Sequence, residues 1–94
     1  MNKIVILASY TQLDIARSMK NVLEIDSKNI VEIIVVTDDV MMYCTGLRHA
    51  RKIVGCNYLF VIRKTDGTIC YRAELLVDMA SELGKFIYYF DPKV

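Results

Sequence analysis

Short apolar runs alternate along this chain with stretches of helical periodicity. Ile4-Val5-Ile6-Leu7-Ala8 is continuous and rich in β-branched residues, the pattern of a strand buried on both faces. Thr11, with Asp14 three residues later, predicts a helix N-terminus. Ile15, Ala16, Met19, Val22 and Leu23 then keep helical spacing as far as Asp26, where Asp26-Ser27-Lys28-Asn29 breaks it. Ile30 to Val36 predicts a second buried strand, ending at Thr37-Asp38-Asp39. Val40 to Cys44 reads either as a short turn of helix or as a loop. A second helix is expected over Thr45 to Val54, with Leu47, Ala50, Ile53 and Val54 inward and Gly55 at its C′ position. Tyr58 to Ile62 is the third strand, followed by the polar turn Arg63-Lys64-Thr65-Asp66-Gly67. The third helix carries Leu75, Leu76, Met79, Ala80 and Leu83 on one stripe and closes at Gly84. Phe86 to Phe90 is the last strand, stopped by Asp91-Pro92.

A βαβαβαβ alternation demands right-handed crossovers and helices on both faces of one sheet. The expected architecture is a single α/β domain over residues 1–94, three-layered, with a mostly parallel four-stranded sheet in the order 2-1-3-4. That order places a topological switch between the first and third strands, and ligands of such sheets bind beyond the carboxyl ends at the switch. The rule selects Ser9-Tyr10-Thr11 after the first strand and Arg63 to Thr68 after the third.

Composition narrows the class. Hydrophobic residues make up 54% of the chain and charged residues 24%, which excludes disorder and suggests apolar surface for a subunit contact. A net charge of +1 gives no global electrostatic case for nucleic acid or an anionic membrane, and neither is expected as a partner. The three cysteines, Cys44, Cys56 and Cys70, are odd in number and include no C-x-x-C pair, so reduced thiols and a cytoplasmic location are expected. No apolar run approaches the roughly 18 residues of a membrane span.

The second half resembles the nucleoside 2-deoxyribosyltransferase-like family, including its short phage-type members. The resemblance lies in His49-x-x-Lys52-Ile53, in Cys56 to Ile62, in Gly67-Thr68, and in Ala80-Ser81-Glu82-Leu83-Gly84-Lys85 running into Ile87-Tyr88-Tyr89. Ala8-Ser9-Tyr10 fits the family's opening strand. The resemblance implies a Rossmann-like domain and a ligand of the nucleoside or ADP-ribose type. The family's nucleophilic Glu would fall at Leu76, which cannot attack an anomeric carbon. Glu74 and Asp78 are each two residues away, a rotation of about 200° on a helix.

The candidate ligand-binding residues are therefore Ser9, Tyr10 and Thr11 at the first turn, and Arg63, Lys64, Asp66, Gly67 and Thr68 at the third. Arg48 joins them from a helix made basic by Arg48, His49, Arg51 and Lys52, which is otherwise a solvated face. Asp38 and Asp39 are placed either to accept hydrogen bonds from ribose hydroxyls or to cap the next turn. Glu74 either serves as a nucleophile, if its helix starts differently, or belongs to a solvated stripe with Asp78 and Glu82. His49 has no second His and no Cys at ligand spacing, so neither a metal nor a cofactor is expected. The leading expectation is non-catalytic binding of a nucleotide-derived small molecule by a homo-oligomer, with phage sequestration of a cyclic ADP-ribose-type defence signal as one use. An active deoxyribosyltransferase or N-glycosidase built on Glu74, and a protein-interaction module using Met41-Met42-Tyr43, are the alternatives.

Overall fold

A computed structural model of the chain describes residues 1–36 and 43–92, apart from the side chains of 43–46. Within it, β1 (Asn2–Ala8), α1 (Leu13–Leu23), β2 (Asn29–Val35), α2 (Tyr43–Gly55), β3 (Tyr58–Ile62), α3 (Tyr71–Glu82) and β4 (Phe86–Phe90) follow the expected alternation. The strands form one all-parallel sheet in the order β2-β1-β3-β4. The fold is α/β and Rossmann-like, with helices on both faces.

Strand alternation sorts the core into two halves. Ile4, Ile6, Ala8, Val31 and Ile62 point to the α1 side, where Ala16 sits in contact with the sheet, flanked by Ile15, Met19 and Leu23. Val5, Leu7, Ile34, Val36, Leu59 and Val61 point the other way, onto Ile53 of α2 and Ala73, Val77 and Ala80 of α3. Ile6, Leu59 and Ile53 are wholly buried. Asn57 fastens the amino ends of the strands: its side chain accepts from the Lys3 N–H at 2.9 Å and its own N–H donates to the Lys3 carbonyl at 2.7 Å.

Several helix faces differ from the sequence expectation. Val22, Leu47, Val54, Leu75 and Leu83 are exposed. On α3 the stripe against the sheet is Ala73, Val77 and Ala80, small residues that let the helix approach closely, with Leu76 and Met79 on its flanks. Leu75 lies about 200° from Ala73 and so faces outward. Val54 is turned about 100° from the buried Ile53. Gly55 is the last residue of α2 and is not left-handed; among the described residues only Gly67 and Gly84 have positive φ, at 83° and 72°. The end of α2 is closed instead by the Cys56 N–H on the Ile53 carbonyl and by Lys85 Nζ on the Val54 carbonyl, at 3.2 and 2.9 Å.

Thr11 does not cap α1. A 3-10 turn, Tyr10–Gln12, precedes the helix, and extended Ser9 begins it. Gln12 stands three residues after Ser9 and reaches back, its Oε1 accepting from the Ser9 hydroxyl at 3.0 Å and from the Ser9 N–H at 3.4 Å. The Gln12 N–H in turn donates to the Ser9 carbonyl at 3.0 Å, and this Ser9–Gln12 pairing displaces the Thr11–Asp14 one as the start signal.

Candidate functional site

Two concave surfaces bear on ligand binding, and they lie at opposite ends of the sheet. The first is the switch-point crevice, where the β1 and β3 ends bring Ser9 and Lys64 to one place, with Gln12, Ile69, Cys70 and Ala73 around them. Its volume is about 10 Å³, room for a single water at most. The occupant is Gln12 itself. It is 7% exposed, and its Nε2 donates across the crevice to the Arg63 carbonyl at 2.5 Å.

The other residues expected there are directed elsewhere. The Arg63 guanidinium stacks 4.3 Å from the centre of the Tyr89 ring and pairs with Asp91 at 3.3 Å, on the β4 side. Asp66 is consumed by its own turn, accepting from the Thr68 hydroxyl at 2.6 Å and the Thr68 N–H at 3.0 Å. Those two donors hold its carboxyl below the usual range. Gly67 supplies the left-handed residue of the turn, and its N–H donates to the Lys64 carbonyl. Tyr10 is 75% exposed, and the Thr11 hydroxyl is hydrogen-bonded to that of Ser9. Asp38 and Asp39, like Met41 and Met42, lie outside the described residues. Glu74 is exposed in the first turn of α3, while Leu76, at the position of the resembled nucleophile, packs against the core.

The second surface is a cleft of about 310 Å³ on the α2 side, at the amino-terminal halves of β1 and β2. Helix spacing builds one wall: Arg48, Arg51 and Lys52 are three and four residues apart and share a face. Sheet register builds the other, because Lys3 pairs with Ile30 and Val5 with Glu32, and all four line the cleft. Among the described residues Glu32 is its only carboxylate, and it is already paired with Lys52 at 3.1 Å. Lys3, Arg48 and Arg51 are exposed, and none forms an ion pair among the described residues. His49 follows Arg48 on α2 and does not line the cleft. Burial pushes its pKa down, and the charges of Lys52, Arg48 and Arg72 add to that, so the ring is neutral at pH 7.

Among the described residues, Arg48 is thus the one expected ligand-binding residue in the larger of these two clefts, away from Ser9 and Lys64. Lys3 and Glu32 were not singled out by sequence, because their meeting with α2 depends on strand register. Gln12 carried a legible signal, the Ser9-x-x-Gln12 spacing of a capping box. Cys56 is a core residue: burial raises its thiol, which donates to the Ile53 carbonyl at 3.2 Å. Among the described residues no cluster of His, Cys, Asp or Glu could hold a metal, and no helix is long and apolar enough to cross a membrane. No family model, curated protein or solved structure matches the chain.

Proposed function

We propose that this protein binds a phosphate-bearing, nucleotide-derived small molecule without transforming it, and that the cleft between α2 and the β1–β2 edge receives the phosphate. The carrying observation is the lining of that cleft: Lys3, Arg48, Arg51 and Lys52 against the single, already paired Glu32. Two arginines on one helix face can each offer a planar pair of donors to phosphate oxygens. A volume near 310 Å³ is at the lower end of the range for small-molecule sites. The concave shape favours a compact anion over a nucleic-acid strand.

The absence of turnover is supported by chemistry at the resembled nucleophile position. Leu76 has no atom that can attack an anomeric carbon, and among the described residues Glu32 is the only carboxylate in the cleft. In a cell such binding would act by sequestering its ligand, and a cyclic ADP-ribose-type signal belongs to this chemical class.

The test is a thermal-shift and calorimetric panel of AMP, ADP, ADP-ribose and cyclic ADP-ribose. A binder at about 100 times its Kd stabilises the fold by about 2.7 kcal/mol, a shift of about ten degrees or more. Arg48→Ala and Arg51→Ala each remove a charge-assisted contact and are expected to weaken binding about tenfold to a hundredfold. Arg63→Ala leaves it unchanged. Binding that survives both cleft substitutions overturns the assignment, as does the failure of every compound to shift the transition. Base exchange or hydrolysis that disappears in Glu74→Ala overturns the non-catalytic reading, and tighter binding of an oligonucleotide than of any mononucleotide overturns the small-molecule one.

A further inference from the structure

The face of the sheet opposite the basic cleft is only half covered. α1 lies over β1 and β2, and among the described residues no helix lies over β3 and β4 on that side. Parallel register places Tyr58 beside Phe86 and Phe60 beside Tyr88, and Phe90 ends the same row. The rings stack: Tyr58–Phe86 centres are 5.5 Å apart and Phe60–Tyr88 centres 5.3 Å. Phe86, Tyr88 and Phe90 are nevertheless 61%, 47% and 41% exposed. Between this row and α1 runs a groove of about 500 Å³, walled by Ile15, Met19, Val22 and Leu23, with Val22 66% exposed.

We infer that this face is covered by the same face of a second copy of the chain, the two related by a two-fold axis. The area supports a copy of this protein as the occupant. A large aromatic side chain presents about 150–250 Å², so these fractions leave roughly 300 Å² on Phe86, Tyr88 and Phe90. With Val22 and the half-buried wall residues the apolar patch reaches roughly 600 Å², at the upper end for a monomer's surface. Two such patches bury roughly 1,200 Å² together, where specific protein–protein interfaces begin. The shape is self-complementary in kind, because each copy offers a helix ridge beside a bare half-sheet. Two strands span about 10 Å, and a helix with its side chains is about 10–12 Å across, so the ridge of one copy fits the vacancy of the other. The polar residues in the groove wall are Asp14 and Ser18, which provide no cation for an anionic amphiphile. β4 is moreover an edge strand, Phe86-Ile87-Tyr88-Tyr89-Phe90, without the charge or proline that shields free edges.

The experiment is sedimentation equilibrium of the full chain from 1 to 200 µM. A dimer of twice the 10.8 kDa chain mass is expected, in a single monomer–dimer equilibrium. F86K with Y88K, on the solvent side of β4, is expected to weaken association by a hundredfold or more with an unchanged circular dichroism spectrum. Should that pair disturb the strand, Val22→Glu on α1 tests the same interface without touching the sheet and is expected to give the same loss. Glu82→Lys, on the exposed side of α3, leaves the dimer intact. A wild-type monomer at 200 µM overturns the inference, as does a dimer indifferent to both sets of substitutions or a polydisperse aggregate. A monomer that partitions onto phosphatidylcholine vesicles assigns the face to lipid and overturns it equally. The basic cleft lies on the other face, so neither result decides nucleotide binding.

Discussion

Gln12 offers the sharpest test of how the crevice at the strand ends is closed. Its amide spans two turns, donating from Nε2 to the Arg63 carbonyl and accepting at Oε1 from Ser9. Gln12→Ala removes these bonds and leaves the Arg63 carbonyl without that donor. At about 0.5–1.5 kcal/mol net for each lost hydrogen bond, plus the loss of packing of a buried side chain, the expected cost is about 2–3 kcal/mol. For a domain of this size that lowers Tm by about 10–20 °C. Q12E is more discriminating, since it preserves shape and the acceptor toward Ser9 while replacing the donor toward Arg63. Burial and the facing carbonyl both favour the protonated form of the introduced carboxyl, so its folded pKa lies above the unfolded value of about 4.3. A raised folded pKa means the folded state keeps its proton as the unfolded chain loses it. The stability gap to wild type is therefore smallest below about pH 4 and widens as pH rises toward 7. Denaturant melts of both proteins at matched pH values measure that gap. A gap that is constant, or that narrows with rising pH, refutes the donation to Arg63.

Other outcomes follow from single features. Gly84 closes α3 at φ 72° with open space where a Cβ would stand, so Gly84→Ala costs only backbone strain, about 1 kcal/mol and a Tm loss of about 4–8 °C. Gly84→Asn, better tolerated in that region, recovers part of the loss in the same melt. His49 has a folded pKa below its ordinary 6.5, so as pH falls the unfolded chain takes up the proton first and stability declines below about pH 6.5. His49→Gln flattens Tm between pH 7.5 and 5.5, and a slope equal to that of wild type would sink the assignment. Asp66 titrates in a separate window, because Thr68 lowers its carboxyl, and contributes stability that is lost only in stronger acid, below about pH 4.

The order of the strands was legible because each apolar run is bounded by polar residues and each crossover must be right-handed. Helix rotation was less so. Leu75 and Leu83 read as core by helical spacing with Leu76, Met79 and Ala80, yet the sheet side of α3 is taken by Ala73 and Val77 with Ala80. The crossover rule also located the meeting of Ser9 and Lys64, since that depends on strand order alone. It did not say that Gln12 would occupy the gap, or that Arg63 would turn to Tyr89 and Asp91 on β4. Those outcomes are set by side-chain competition between turns. The cleft of Lys3, Glu32, Arg48, Arg51 and Lys52 needed the pairing of Val5 with Glu32, a register that one strand's sequence does not carry.

The two open surfaces arise from one shortage. A parallel sheet of this width has room for two helices on each face, and among the described residues α1 alone lies on one face and α2 with α3 on the other. On the α1 face the vacancy exposes β3 and β4, whose residues are aromatic because a strand pattern made to be covered is apolar throughout. On the other face α2 leaves the amino-terminal half of β2 open, where Ile30 and Glu32 are exposed, and the residues closing over it are cations. An uncovered aromatic row can be desolvated by another apolar surface at no electrostatic cost, whereas a cationic cleft holds its charges best against an anion in water. The two proposed occupants follow this difference in side-chain chemistry: a protein surface for the aromatic row, and a phosphate-bearing small molecule for the cleft.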